Sequence, residues 1–227
     1  MRDRVIESLG DLAHPRFLVY LMGPYKAFDV ESILDAIDAD GDDATPLDVN
    51  QIPENVDFGT LVGSDVDLDR QEATLELLLW VRDRLRTDPG VNAFLATDVD
   101  VPLEELDAAT QSIEFALASN AVVYLVPKVG DNLGVGIETG SVLETLYRDR
   151  DTEEADDATV PPGHHERVLF VHESGVRSAM IAAVHERWDA RVCSYSDRED
   201  LLKQVRLFVR DLARREQRGD LPTLDAR

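Results

Sequence analysis

Two kinds of segment alternate along the chain. Short, nearly unbroken apolar runs occur at residues 16–22 (RFLVYLM), 93–97 (AFLAT), 121–126 (AVVYLV), 167–172 (RVLFVH) and 190–195 (ARVCSY). Runs this short, rich in Val, Leu, Phe and Tyr, read as strands covered on both faces, as a parallel sheet requires. Between them, apolar positions recur at helical spacing. The clearest case is residues 68–87, through Leu75, Leu78, Leu79, Val81 and Leu85. Residues 103–119, 138–148, 176–188 and 197–217 have the same character. Asp197 is placed to cap the last of these helices, and Pro102 to enter the first turn of the helix over 103–119.

Strand–helix alternation predicts right-handed crossovers and an open, doubly wound α/β fold. Five strands suggest a parallel sheet of flavodoxin-like order 2-1-3-4-5 inside three α/β/α layers. The whole chain, 1–227, reads as one domain with two interruptions. Residues 28–69 are acidic and weakly patterned, with a short helical stretch at 30–38 followed by Gly41, Pro46, Pro53, Gly59 and Gly63. They read as an insertion, either a solvated surface loop or a lid over the site. Residues 149–165 read as a solvated acidic linker.

Composition narrows the function classes. The 227 residues carry 23 Lys+Arg against 46 Asp+Glu, a net charge of −23, with 44% hydrophobic residues. That balance describes a folded domain with an acidic surface. It excludes a protein that coats nucleic acid and one that docks electrostatically on anionic membranes. The apolar runs are too short to span a bilayer, and residues 1–15 lack the apolar core of a secretory leader. The expected location is the cytoplasm. Lysine occurs only at 26, 128 and 203, and the 29 aspartates outnumber the 17 glutamates. This surface resembles that of proteins from salt-loving cytoplasms, where high ionic strength screens self-repulsion. One cysteine, Cys193, leaves no intrachain disulfide and no cysteine cluster for a metal.

Ligands of doubly wound sheets bind at the carboxyl ends of the strands, near the switch point between strands 1 and 3. That rule selects Gly23, Pro24, Tyr25 and Lys26 after strand 1, and Asp98 and Asp100 after strand 2. After strand 3 it selects the loop from Lys128 into Glu138. Glu173 and Ser174 follow strand 4, and residues 194–196 end strand 5. The third loop holds Gly130, Gly134, Gly136 and Gly140, so its backbone can approach a ligand closely. A helix starting there aims its first N–H groups into the crevice and favours a carboxylate at Glu138. A carboxylate beside a sugar ring can act as a nucleophile or stabilise an oxocarbenium ion, although a first-turn Glu also serves as a plain helix-stabilising charge. Lys26 and Lys128 are placed to pair with phosphate, or to stand as rim lysines. Asp98 with Asp100 can hold a ribose hydroxyl or Mg²⁺, or cap an acidic loop.

Other residues read as structural. The His164-His165-Glu166 tract lies in the polar linker and gives no metal site, and His14, His172 and His185 are too scattered to make one. Trp80 and Trp188 fall at apolar helical positions, and Cys193 reads as a buried packing residue. Arg206, Arg210, Arg214, Arg215 and Arg218 form a basic stripe suited to acidic helices or another subunit.

Strand 3 and its loop, VVYLVPKVGDNLGVGIETG, resemble the corresponding segment of nucleoside 2-deoxyribosyltransferases. In that family the loop carries Asp-x-Gly-x-x-x-Glu-x-Gly, and the Glu is the glycosyl-accepting nucleophile. Here Gly134, Glu138 and Gly140 fall in place. The opening FLVYLMGPY resembles that family's first strand and glycine turn, which lies beneath base and sugar. The similarity covers residues 16–25 and 111–146. It implies a small-molecule nucleoside or nucleotide substrate, no cofactor or metal, and a homo-oligomer. It also implies that Glu138 attacks the anomeric carbon while Asp131 or another acid protonates the departing base. Tyr25 or Asn132 would orient Glu138, and Gly134 and Gly136 would hold a 5′-hydroxyl or phosphate. Two positions depart: the loop Asp is Asn132, with Asp131 adjacent, and a second family Asp falls near Ser112. These departures bear on base transfer and leave N-glycosidic cleavage open. Nucleotide N-glycosidases and TIR-type NAD hydrolases share the same fold and a Glu-dependent site. The alternatives are a non-catalytic nucleotide-sensing module and a purely structural flavodoxin-like domain.

Overall fold

A computed structural model describes residues 1–23, 65–102, 104–126, 140, 142–147, 160, 163–175, 188 and 190–224. In chain order these form α1 (Arg2–Leu9), β1 (His14–Met22), α2 (Asp65–Thr87), β2 (Val91–Phe94), α3 (Ala108–Ala118), β3 (Ala121–Val126), β4 (Val168–Glu173), β5 (Arg191–Tyr195) and α4 (Arg198–Arg218). Residues 142–147 are also helical, and 3₁₀ turns occupy Ala96–Asp98 and His164–Arg167. The five strands form one parallel sheet of order β2-β1-β3-β4-β5. This is the doubly wound, flavodoxin-like arrangement that the alternation of segments implies.

The apolar runs are continuous because both faces of the sheet are buried. Leu18, Tyr20 and Met22 of β1 point into one core with Val122, Tyr124 and Val126 of β3 and Val168 and Phe170 of β4. Val5 of α1, Phe115 of α3 and Val142, Leu143 and Leu146 cover that side. The intervening residues Val19, Leu21, Val123, Leu125, Leu169 and Val171 point the other way, against Leu78, Val81 and Leu85 of α2 and Val205, Phe208 and Leu212 of α4. Each fully buried side chain of this kind contributes roughly 1.5–3 kcal/mol. Rings interlock on the first face: Tyr124 stacks on Phe170 at 4.7 Å, and Tyr20, Phe94 and Phe115 form a triangle with centroids 5.1 to 5.7 Å apart.

Several boundaries depart from the sequence reading. Helix α1 lies within a segment read only as a charged terminus; it buries Val5 alone and has no side-chain cap. Helix α3 begins at Ala108, well after Pro102. The Asp107 carboxylate accepts the N–H and hydroxyl of Thr110, which fixes the N-cap there. The Gln111 amide then holds the carbonyls of Val101 and Leu106. Cys193 is half-buried on edge strand β5, and burial pushes its thiol up. Asp197 does cap α4, accepting from the N–H groups of Glu199 and Asp200 at 3.0 and 2.9 Å. Arg206 pairs with Asp88 at 3.1 Å and Arg215 with Glu166, so part of the basic stripe is spent inside the fold. Trp80 packs on the second core with the guanidinium groups of Arg84 and Arg198 over its ring.

The amino-terminal edge of the sheet is closed by a polar network. Arg167, immediately before β4, is fully buried. It donates to Glu216 of α4 at 2.5 Å, to the Asn120 carbonyl at 3.0 Å and to the Pro222 carbonyl. The Asn120 side chain joins β1, α1 and α4: its Oδ1 accepts from Leu18 N–H and Arg2, and its Nδ2 donates to Glu216 at 2.9 Å. Arg2 also reaches the carbonyls of Ala118 and Arg16. These contacts tie α1, α4 and the starts of β1 and β4 together.

Candidate functional site

At the carboxyl edge, β1 and β3 run side by side in register from Val19 opposite Ala121 to Met22 opposite Tyr124. Strand β2 extends the sheet on one side of this pair and β4 on the other. The switch point of the strand order therefore falls between β1 and β3, the place where doubly wound sheets commonly bind ligands. Gly23 follows β1 directly. A methyl group there would lie 3.0 Å from Leu78 Cδ1 of α2 and 3.4 Å from the Leu125 carbonyl oxygen, so the chain leaves β1 wedged between helix and neighbouring strand. Side chains larger than hydrogen require Leu78 to move.

The sequence-selected residues divide sharply. Pro24, Tyr25, Lys26, Lys128, Asp131, Asn132, Gly134, Gly136 and Glu138 lie outside the described residues, as does most of the 28–69 insertion. Gly140 and residues 142–147 are helical, as the pattern over 138–148 implies. Ser112 is buried near the start of α3.

Asp98 is fully engaged. Its carboxylate meets Arg82 at 2.5 Å and Arg86 at 3.4 Å, and it accepts the Leu95 N–H at 3.0 Å. It serves as the cap of an acidic turn, and a ligand hydroxyl would have to displace these partners.

The ends of β4 and β5 bring together residues that the sequence left scattered. His172 stands in register with Val126 of β3 on one side and Ser194 of β5 on the other. Its Nδ1 lies 3.0 Å from the Glu173 carbonyl oxygen. Glu173 lies opposite Tyr195, and the Ser174 N–H donates to the Tyr195 carbonyl at 2.8 Å. Burial, reinforced by the Glu173 charge, pushes the Tyr195 phenol up to about 12, so it remains protonated.

The histidine tract before β4 is structural, but it is not solvated throughout. His164 is 1% exposed, and its Nε2 donates to the Ala116 carbonyl at 2.9 Å. Its Nδ1 has no hydrogen-bond partner among the described residues. Val160 is also buried, so the described end of the 149–165 segment packs into the core where the sequence reading expected a solvated linker. Among the described residues, no three His, Cys, Asp or Glu side chains gather where one metal ion could be held. No helix among them is long and apolar enough to cross a membrane.

Burial first, and then the Arg167 and Arg2 charges, lower the His164 pKa from 6.5 to about 4. The unfolded chain therefore binds a proton that the folded chain refuses between those values. Stability is complete above pH 6.5 and falls as pH drops toward 4, by about 3 kcal/mol from this group. Denaturation of wild type and His164→Gln at pH 7 and pH 4 should show a smaller acid loss in the variant, by roughly that amount. Equal losses in both would remove His164 as the source.

A comparison with curated proteins finds none that matches. The family model of DUF7509, described as a domain of unknown function, matches residues 2–225. That match covers all five strands and the network around Arg167, and the chain belongs to the DUF7509 family.

Proposed function

We propose that this protein cleaves or transfers the N-glycosidic bond of a nucleoside, nucleotide or NAD-like molecule, with Glu138 as the nucleophile. One observation carries the reading. The two segments that resemble nucleoside 2-deoxyribosyltransferases lie about a hundred residues apart in sequence, yet they belong to strands β1 and β3, which are hydrogen-bonded neighbours at the switch point. Both resembling segments run on past the carboxyl ends of these strands, where ligands bind in this fold.

In this mechanism the C1′–N bond breaks; a purine or pyrimidine takes a proton on a ring nitrogen from Asp131 or another acid as it departs, whereas nicotinamide leaves as a neutral ring and needs none. The bonding pair leaves with the base, and a Glu138 carboxylate oxygen bonds to C1′. Water or a second base then attacks C1′ and frees Glu138. The acidic, lysine-poor surface motivates assays at molar KCl, because salt screens repulsion between a chain of charge −23 and anionic nucleotides. A second copy completing the site is part of the same proposal.

The test is release of free base or nicotinamide from a panel of nucleosides, nucleotides and NAD at molar KCl. Release from at least one substrate supports the reading. Tight binding without release would favour a nucleotide-sensing module instead.

A further inference from the structure

Helix α4 has two opposed faces. Leu201, Leu202, Val205, Phe208, Val209 and Leu212 pack into the fold. At 3.6 residues per turn, Asp200, Lys203, Arg210, Asp211 and Arg214 all fall within about 60° of Leu207, on the side away from that core. Leu207 is 40% exposed, and among the described residues no other large apolar side chain is exposed. Lys203, Arg210 and Arg214 are exposed and make no ion pair or hydrogen bond among the described residues. Asp211 meets Arg191 at 3.3 Å with both side chains half exposed, so its carboxylate has room for a second cation. The chain holds two acidic residues for each basic one, so unpaired cations around a bare leucine depart from the rest of its surface. Such a face is suited to a partner that supplies both apolar contact and anions.

We infer that a second copy of this chain docks on this face, α4 against α4 and antiparallel, with Leu207 on the two-fold axis. The face is complementary to itself in that arrangement. Each residue lies opposite the one equally far on the other side of Leu207. Leu207 meets the partner subunit's Leu207, Lys203 meets the partner subunit's Asp211, and Arg214 meets the partner subunit's Asp200. Symmetry makes each ion pair occur twice. Parallel pairing would instead set Arg214 on Arg214 and Lys203 on Lys203, which repel. Antiparallel helices also bring opposite ends of their macrodipoles together. A different acidic partner would meet Asp200 and Asp211 as well as the cations, whereas a second copy pairs them all. A helix of 21 residues is about 31 Å long and makes a small contact, so the dimer forms in the micromolar range. The interface is independent of the chemistry proposed for Glu138.

The experiment is sedimentation of the full chain in molar KCl, which screens the mutual repulsion of two chains of charge −23. The mass should rise from monomer to dimer between about 1 and 100 µM. Leu207→Arg sets two like charges on the axis and should raise the Kd at least about a hundredfold. Lys203→Asp should raise it about tenfold, and adding Asp211→Lys should restore the dimer. These side chains are exposed, so the variants should melt as wild type does. In a Cys193→Ser background, Leu207→Cys should crosslink two copies on mild oxidation. Arg218→Cys should not, because its two copies stand about 33 Å apart along the paired helices. A mass that stays monomeric across the concentration range, a dimer indifferent to Leu207→Arg, or equal crosslinking at 207 and 218 would overturn the inference. Failure of base release would leave it standing.

Discussion

Replacing Glu138 with glutamine is expected to lower base release at least about a thousandfold with little change in KM. The substitution keeps size and hydrogen-bonding capacity but removes the anionic oxygen. That oxygen has two tasks in the proposed mechanism: it stabilises positive charge developing on the sugar, and it forms the bond to C1′. Neither is needed to bind the ground-state nucleoside, so the loss should fall on kcat. Turnover in Glu138→Gln within tenfold of wild type would remove this residue from the chemistry. The measurement is initial-rate base release at molar KCl, with thermal melting to establish that the variant folds.

The second large effect is expected at the opposite edge of the sheet. Arg167→Met should destabilise the protein by about 3–5 kcal/mol, because it leaves the largely buried Glu216 carboxylate without its cation. Burial lowers the Arg167 pKa and Glu216 raises it, which marks a charge held in the interior by its partner. Asn120 Nδ2 alone, at 2.9 Å, cannot neutralise the remaining carboxylate. The double variant Arg167→Met/Glu216→Met should recover much of the loss, since well-packed apolar pairs often replace buried ion pairs at little cost. Urea denaturation of the two single variants and the double variant measures this. Additive losses in the double variant would show that the two residues act independently.

The sheet order was legible because a doubly covered parallel strand has almost no polar position to hide it. Residues 121–126 are apolar throughout, and all six are buried. The network around Arg167 was not legible. Its partners Asn120 and Glu216 lie 47 and 49 residues away, and an arginine at the start of an apolar run looks like an exposed strand end. Helix α1 was hidden for another reason: its sequence RDRVIESL offers a single buried position. At the site, the strand-end rule selected positions along the carboxyl edge, and the family resemblance singled out Glu138, which lies outside the described residues. Asp98 satisfied the same rule, yet Arg82 and Arg86, one turn apart on α2, claim it. His172 had no motif to reveal it; its register places it between Val126 and Ser194 at the carboxyl end of β4.

The two predictions concern different parts of the molecule: the ion pair at the amino edge and the proposed nucleophile Glu138. The Arg167 variants should alter melting while keeping catalytic constants wherever the protein is folded. The Glu138 variant should do the reverse.

Covalent trapping interrogates the chemistry itself. A 2′-fluoro-arabinosyl nucleoside carrying the base that wild type releases fastest slows both steps, because fluorine at C2′ destabilises the oxocarbenium ion. A good leaving base then lets the glycosyl-enzyme accumulate. Mass spectrometry of the digested protein should find one fluoroarabinosyl group on the peptide containing Glu138, and none in Glu138→Gln. Base release from natural nucleosides with the group on a different residue, or with no adduct at all, would contradict a Glu138 nucleophile.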